Sequence, residues 1–110
     1  MLPSIYRLPR QEFPFTLKSG KKIHTPALTI VYYPSTLVLP RFGIIVSSKV
    51  SKSAVKRNQI KRRLRAAILS NLSILKRPTD MIFIAKLPII NTPYPSLAKT
   101  VNAALGSKHN

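Results

Sequence analysis

The sequence predicts an α+β fold: a two-layer α/β sandwich with one small mixed sheet packed by a central basic helix and by terminal helices. Three observations lead there. Residues 49–65, KVSKSAVKRNQIKRRLR, are dense in Lys and Arg, yet Ile60, Leu64, Ala67 and Ile68 recur at the three- and four-residue spacing of a buried helix face. Short runs rich in β-branched and aromatic residues stand on both sides of it, at 27–33, 41–48 and 81–87. A last apolar run at helical spacing, Leu97, Val101, Ala104 and Leu105, is closed by Gly106. With 110 residues the chain makes one domain, 1–110, near the size at which burial only just offsets conformational entropy. Its ends, about 1–5 and 106–110, are expected to fray.

Taken in order, residues 10–18 place Phe13 and Leu17 four apart before Gly20, as in a short helix. Pro14 is tolerated only in a first turn, so that helix should start near Phe13. Residues 21–33 then read as a β segment, with Leu28, Ile30 and Tyr32 on one face and Thr29, Val31 and Tyr33 on the other. Both faces are apolar, which marks a central strand. After 34–40, RFGIIVSS at 41–48 forms a second strand, with Gly43 allowing close approach of backbone or ligand. The two strands are expected to pair as a hairpin with a ragged loop, residues 37–39 adding to its edge.

Ser53 is a candidate N-cap for the basic helix, although Lys56 occupies the position where a capping box carries Glu or Gln. Positive charge there opposes the helix dipole and favours a docked phosphate, held by Lys52, Lys56 and Arg57. At about 100° per residue, Ile60, Leu64, Ala67, Ile68 and Leu75 share one arc, and Asn58, Lys61, Arg62 and Arg65 lie opposite or beside it. The helix should fade at 76–78, where two cations precede Pro78. MIFIAKL at 81–87 is a strand covered on both faces, with Asp80 as a turn residue before it. Pro93, Pro95 and Ser96 lead into the final helix, and residues 107–110 should fray.

Nineteen Lys and Arg face two acids, Glu12 and Asp80, for a formal charge of +17. Solubility needs a net charge of only about 2–8 on a small domain, so the excess points to a polyanion whose phosphates it neutralises. There is no Cys, which excludes disulfides, thiolate zinc sites and a Cys nucleophile and fits a reducing cytoplasm. No run of about 18 apolar residues is present to span a bilayer, and the first residues do not read as a signal peptide. A helix-turn-helix reader would need two short helices in place of the β-like flanks.

A protein nuclease needs carboxylates on metal ions or an acid–base pair, and Glu12, Asp80, His24 and His109 stand alone in sequence. No catalytic residue and no metal ligand is therefore assigned. Binding remains, and the aromatics Phe13, Tyr32 and Tyr33, with Phe15 and Phe42, are candidate stacking platforms for unpaired bases. Core packing is the alternative for each of them, and the stronger one for Phe83.

KRNQIKRRLR, at 56–65, resembles the basic motif of the bacterial ribonuclease P protein component, commonly RNRIKR followed by a Leu- and Arg-containing helix. The likeness extends to residues 41–49, to Glu12, Phe13 and onward to Gly20, and to residues 81–85, in the same order. The resemblance implies an α/β sandwich with a left-handed βαβ crossover. It implies a noncatalytic subunit that binds ribonuclease P RNA and the 5′ leader of precursor tRNA, with Mg2+ held mainly by the RNA. By position it assigns Arg57, Asn58, Lys61, Arg62 and Arg65 to the catalytic RNA and Phe13 and Tyr32 to the leader cleft; the neighbouring Lys49, Lys52 and Lys56 are counted with the first set and Leu17 with the second. Three positions depart from the family: Gln59 replaces the motif's second arginine, Leu17 a usual aromatic, and Ser48 the first of two lysines. A ribosomal or other structural RNA-binding protein without nuclease association is the competing assignment.

Overall fold

The computed structural model describes residues 2–35, 37–75 and 77–106. The strands are β1 (Lys21–His24), β2 (Leu28–Pro34), β3 (Arg41–Ile45) and β4 (Thr79–Ala85), and the helices are α1 (Phe13–Ser19), α2 (Ala54–Ser70) and α3 (Tyr94–Leu105). Short 3-10 turns occur at Ser4–Tyr6, Arg10–Glu12, Leu72–Ile74 and Leu87–Asn91. The four strands form one mixed sheet in the order β1-β2-β4-β3, antiparallel except for the parallel β3–β4 pair that α2 connects.

Two expectations about the sheet are corrected. Residues 21–33 form two strands, because Thr25 folds the chain back: its backbone N–H donates to the Leu28 carbonyl at 2.8 Å, and its hydroxyl accepts from the Leu28 N–H at 3.0 Å. Nor do β2 and β3 pair, since β4 lies between them, in register with β2 from Leu28↔Ala85 to Pro34↔Thr79 and with β3 from Arg41↔Asp80 to Ile45↔Ile84. The physical reason is burial: β4 is apolar on both sides, and only a central position covers both. Residues 37–39 are exposed and belong to no strand.

One sheet face carries Leu28, Ile30, Phe42, Met81 and Phe83 and packs on Ile60, Leu64, Ala67 and Ile68 of α2 and on Leu97, Val101 and Leu105 of α3. The other face centres on Val31 and Ile82, with Leu8, Phe13 and Leu17 against them, so α1 covers the sheet from the opposite side. Leu2 is buried in the main core, which ties down the start of the chain where fraying was expected. The fraying expected for residues 107–110 lies outside the described residues.

Helix α2 stops at Ser70, earlier than the sequence indicates. Asn71 ends it, its side-chain amide donating to the Ala67 carbonyl at 2.7 Å while its own oxygen accepts from the Asn102 amide of α3 at 2.8 Å. Leu75, placed by periodicity on the helix face, packs on the core from the connection that follows. Among the described residues no helix is long and apolar enough to cross a membrane.

Candidate nucleic-acid interface

Helix α2 has the two faces its spacing demands. Ile60, Leu64, Ala67 and Ile68 are buried, whereas Lys56, Asn58, Gln59, Arg62 and Arg63 are exposed and Arg57, Lys61 and Arg65 are half-buried. The Ser53 hydroxyl caps the helix by accepting from the Lys56 N–H at 3.3 Å, so the side chain already serves one of the free donors expected to meet a phosphate. Arg57 is held at the helix start, its Nη1 donating to the Ser51 carbonyl at 2.8 Å. Lys49 and Lys52 are exposed on the turn before it. The cations of the RNA-facing set thus lie on α2 and its entry turn, and no carboxylate side chain of the protein pairs with them.

Both carboxylates are engaged elsewhere. Arg41, at the start of β3, donates Nη1 and Nη2 to Glu12 at 2.8 and 2.7 Å, and Nε and Nη2 to Asp80 at 3.0 and 2.8 Å. Asp80 is therefore a buried strand residue and not the turn residue its neighbours suggest. Its register opposite Arg41 in the parallel pair puts the two side chains on the same sheet face. The Arg41 hydrogen bond, reinforced by its charge, holds the Glu12 carboxyl below the usual glutamate range against a smaller opposing effect of burial. The two carboxylates raise the Arg41 pKa further, Asp80 contributing most. The cluster anchors the entry to α1 onto the sheet and withdraws both negative charges from the basic surface.

A groove of about 430 Å³ runs along the outer edge of β3. Phe13 and Gly43 lie at one side, Lys61 and Arg65 of α2 at the other, with Arg7 and Arg10 from the N-terminal segment. Arg7 and Arg10 were not legible as site residues, because single cations in a proline-containing segment carry no periodic signal.

The three residues assigned to a leader cleft do not share one surface. Phe13 and Leu17 pack on the Val31 and Ile82 side of the sheet. Tyr32 sits opposite Met81 and packs with the core under α2 and α3. Strand alternation is the reason: Val31 and Tyr33 face α1, so Tyr32 cannot. Tyr33 is the tyrosine on the α1 side, its ring 5.0 Å from that of Phe15 in an edge-to-face contact. Among the described residues no three His, Asp or Glu side chains gather as a metal site.

The family model described as Ribonuclease P matches residues 2–109. A ribonuclease P protein component from Cyanothece sp. is 33% identical over 122 aligned positions, covering 96% of this chain and 93% of that protein. One from Synechococcus elongatus is 41% identical over 73 residues, which span 62% of this chain and only 60% of that relative. Among solved structures, the RNase P protein from Thermotoga maritima superposes with a TM-score of 0.83 at 21% identity, over 91% of this chain and 94% of that one. That from Staphylococcus aureus does so with a TM-score of 0.81 at 26% identity, over 93% and 98%.

Proposed function

Because the chain belongs to the ribonuclease P protein family, we propose that it is the noncatalytic subunit of the endoribonuclease, binding ribonuclease P RNA and the 5′ leader of precursor tRNA to promote Mg2+-dependent leader removal in the cytoplasm. The observation that carries this reading is the α2 surface, a row of unopposed cations beside a groove that also holds Phe13. Arg57, Asn58, Arg62 and the entry-turn lysines meet the catalytic RNA, while Lys61 and Arg65 face both that RNA and the groove. A single strand laid along the β3 edge meets their charge on one side and the Phe13 ring on the other.

The polypeptide supplies no reacting group in this scheme. Glu12 and Asp80 are both held by Arg41, so in this reading the two carboxylate side chains serve the fold, and Mg2+, held mainly by the RNA, would activate the attacking water. The protein's cations screen the repulsion between two RNAs, which lowers the Mg2+ concentration needed to bring them together. Leader contact distinguishes precursor from product, since only the precursor has a strand to place in the groove.

The test is precursor tRNA cleavage by ribonuclease P RNA at low Mg2+, with and without the protein, and with Arg57, Lys61 and Arg62 each replaced by Ala. The expected result is a protein-dependent rate that the substitutions reduce. Cleavage by the polypeptide alone, or no stimulation of the RNA, would overturn the reading.

A further inference from the structure

The opposite flank of α2 forms a second groove. Lys56, Gln59, Arg62 and Arg63 line it from α2, and Ile90 and Tyr94 line it from the Leu87–Asn91 turn and the start of α3, around an open volume of about 650 Å³. Gln59 and Lys61 are two residues apart, roughly 200° around a helix axis, so this groove and the one holding Lys61 and Arg65 lie on different sides of the same helix. Buried Ile60 forms part of its floor. Arg63 reaches toward the opposite wall, its Nη1 3.5 Å from the Thr92 carbonyl, a long and exposed contact.

Its chemistry is mixed in a particular way. Three cations stand at the α2 side, and among the described residues no carboxylate side chain lines the groove, since Glu12 and Asp80 are both on Arg41. Tyr94 is half-buried, its ring packed against the core on one side and lining the groove. Among the described residues neither the Gln59 amide nor the Tyr94 hydroxyl makes a hydrogen bond. Cations suit phosphates, an aromatic ring suits a base, and an amide offers one donor beside one acceptor. That last pattern complements a donor–acceptor base edge, such as the N6/N7 edge of adenine or the N4/N3 edge of cytosine.

We infer that this α2–α3 groove binds an unpaired nucleotide of an RNA engaged by α2, with Tyr94 stacking on the base, Gln59 hydrogen-bonding a donor–acceptor edge such as that of adenine or cytosine, and Lys56, Arg62 and Arg63 holding the flanking phosphates. The inference rests on the RNA-binding reading of α2, but not on leader binding at Phe13. An acidic peptide would also meet the charge, but it would leave the ring and the amide unused.

The experiment follows the tyrosine ring resonances by NMR while the whole protein is titrated with tetraadenylate, tetracytidylate or tetraglutamate. Tetraadenylate is expected to shift the Tyr94 ring resonances. Tyr94→Ala should weaken its binding about tenfold, the scale of one lost base stack. Tyr94→Leu, which keeps an apolar side chain on the core, should weaken it comparably while the melting temperature is held. Gln59→Ala should weaken binding of tetraadenylate and tetracytidylate alike, and Phe13→Ala should leave the Tyr94 shifts unchanged. Tyr94 shifts that are absent with both tetraadenylate and tetracytidylate, or matched by tetraglutamate, would each overturn the inference. Loss of leader discrimination in Phe13→Ala, or its absence, bears on the proposed function alone.

Discussion

The ring of Phe13 occupies the space that a side chain at position 43 would fill. Gly43 lies in β3 with no positive φ, so close approach and not backbone conformation is what the glycine provides. Gly43→Ala is expected to push the Phe13 ring off the strand, at a cost of about 1–3 kcal/mol in overpacking. In the ribonuclease P cleavage assay the variant should weaken binding of leader-bearing precursor about fivefold or more, on the scale of one lost stacking contact, with mature tRNA affinity unchanged. Equal losses for precursor and mature tRNA would remove the Phe13–Gly43 contact from leader recognition.

Arg41 ties together groups distant in sequence, at separations of 29 residues to Glu12 and 39 to Asp80. Its side chain is 16% exposed and that of Asp80 10%, so Arg41→Ala leaves a mostly buried carboxylate unpaired. The expected loss is about 3 kcal/mol, read from chemical denaturation.

Acid should act on the same cluster through Glu12, whose carboxyl is held low by Arg41. A lowered folded-state pKa contributes stability that is present above the unfolded value of about 4.3 and lost as pH falls through the folded value. The Glu12 side chain is 43% exposed, so the contribution is small. Melting curves from pH 6 down to about pH 3 should show Glu12→Gln losing less stability on acidification than the native protein. Parallel pH profiles for the two would show that the Arg41–Glu12 pair does not stabilise the fold.

Charge and packing on α2 separate cleanly. Arg62 is exposed with no partner among the described residues, so Arg62→Ala should change stability by under about 0.5 kcal/mol. The same change should lower the salt dependence of RNA binding by about one phosphate contact, a slope change of about 0.7–0.9 in log K against log salt.

Leu64, on the inner face of the same helix, is fully buried. Leu64→Ala is expected to cost about 2–5 kcal/mol, a fall in melting temperature of at least about 8 °C. At temperatures where the variant remains folded, its salt slope should match that of the native protein.

What the sequence determined by itself is local. The stripe of Ile60, Leu64, Ala67 and Ile68 and the cationic face beside it follow from a helix period that repeats within four residues, and both appear as read. Ser53 was legible as a cap for the same reason, since capping links positions three apart. The tertiary structure decided everything that depended on which distant segments met. A strand apolar on both faces, as β4 is, demands a central place but does not name its neighbours, so β4 entered between β2 and β3. That placement brought Asp80 beside Arg41 and turned an expected loop residue into part of an ion cluster. Alternation correctly put Tyr32 and Tyr33 on opposite faces, but which face α1 would cover depended on Phe13 meeting Gly43 and Val31 rather than on any spacing within the strand. Periodicity assigns a residue to a side of its own element; only packing decides what lies on that side.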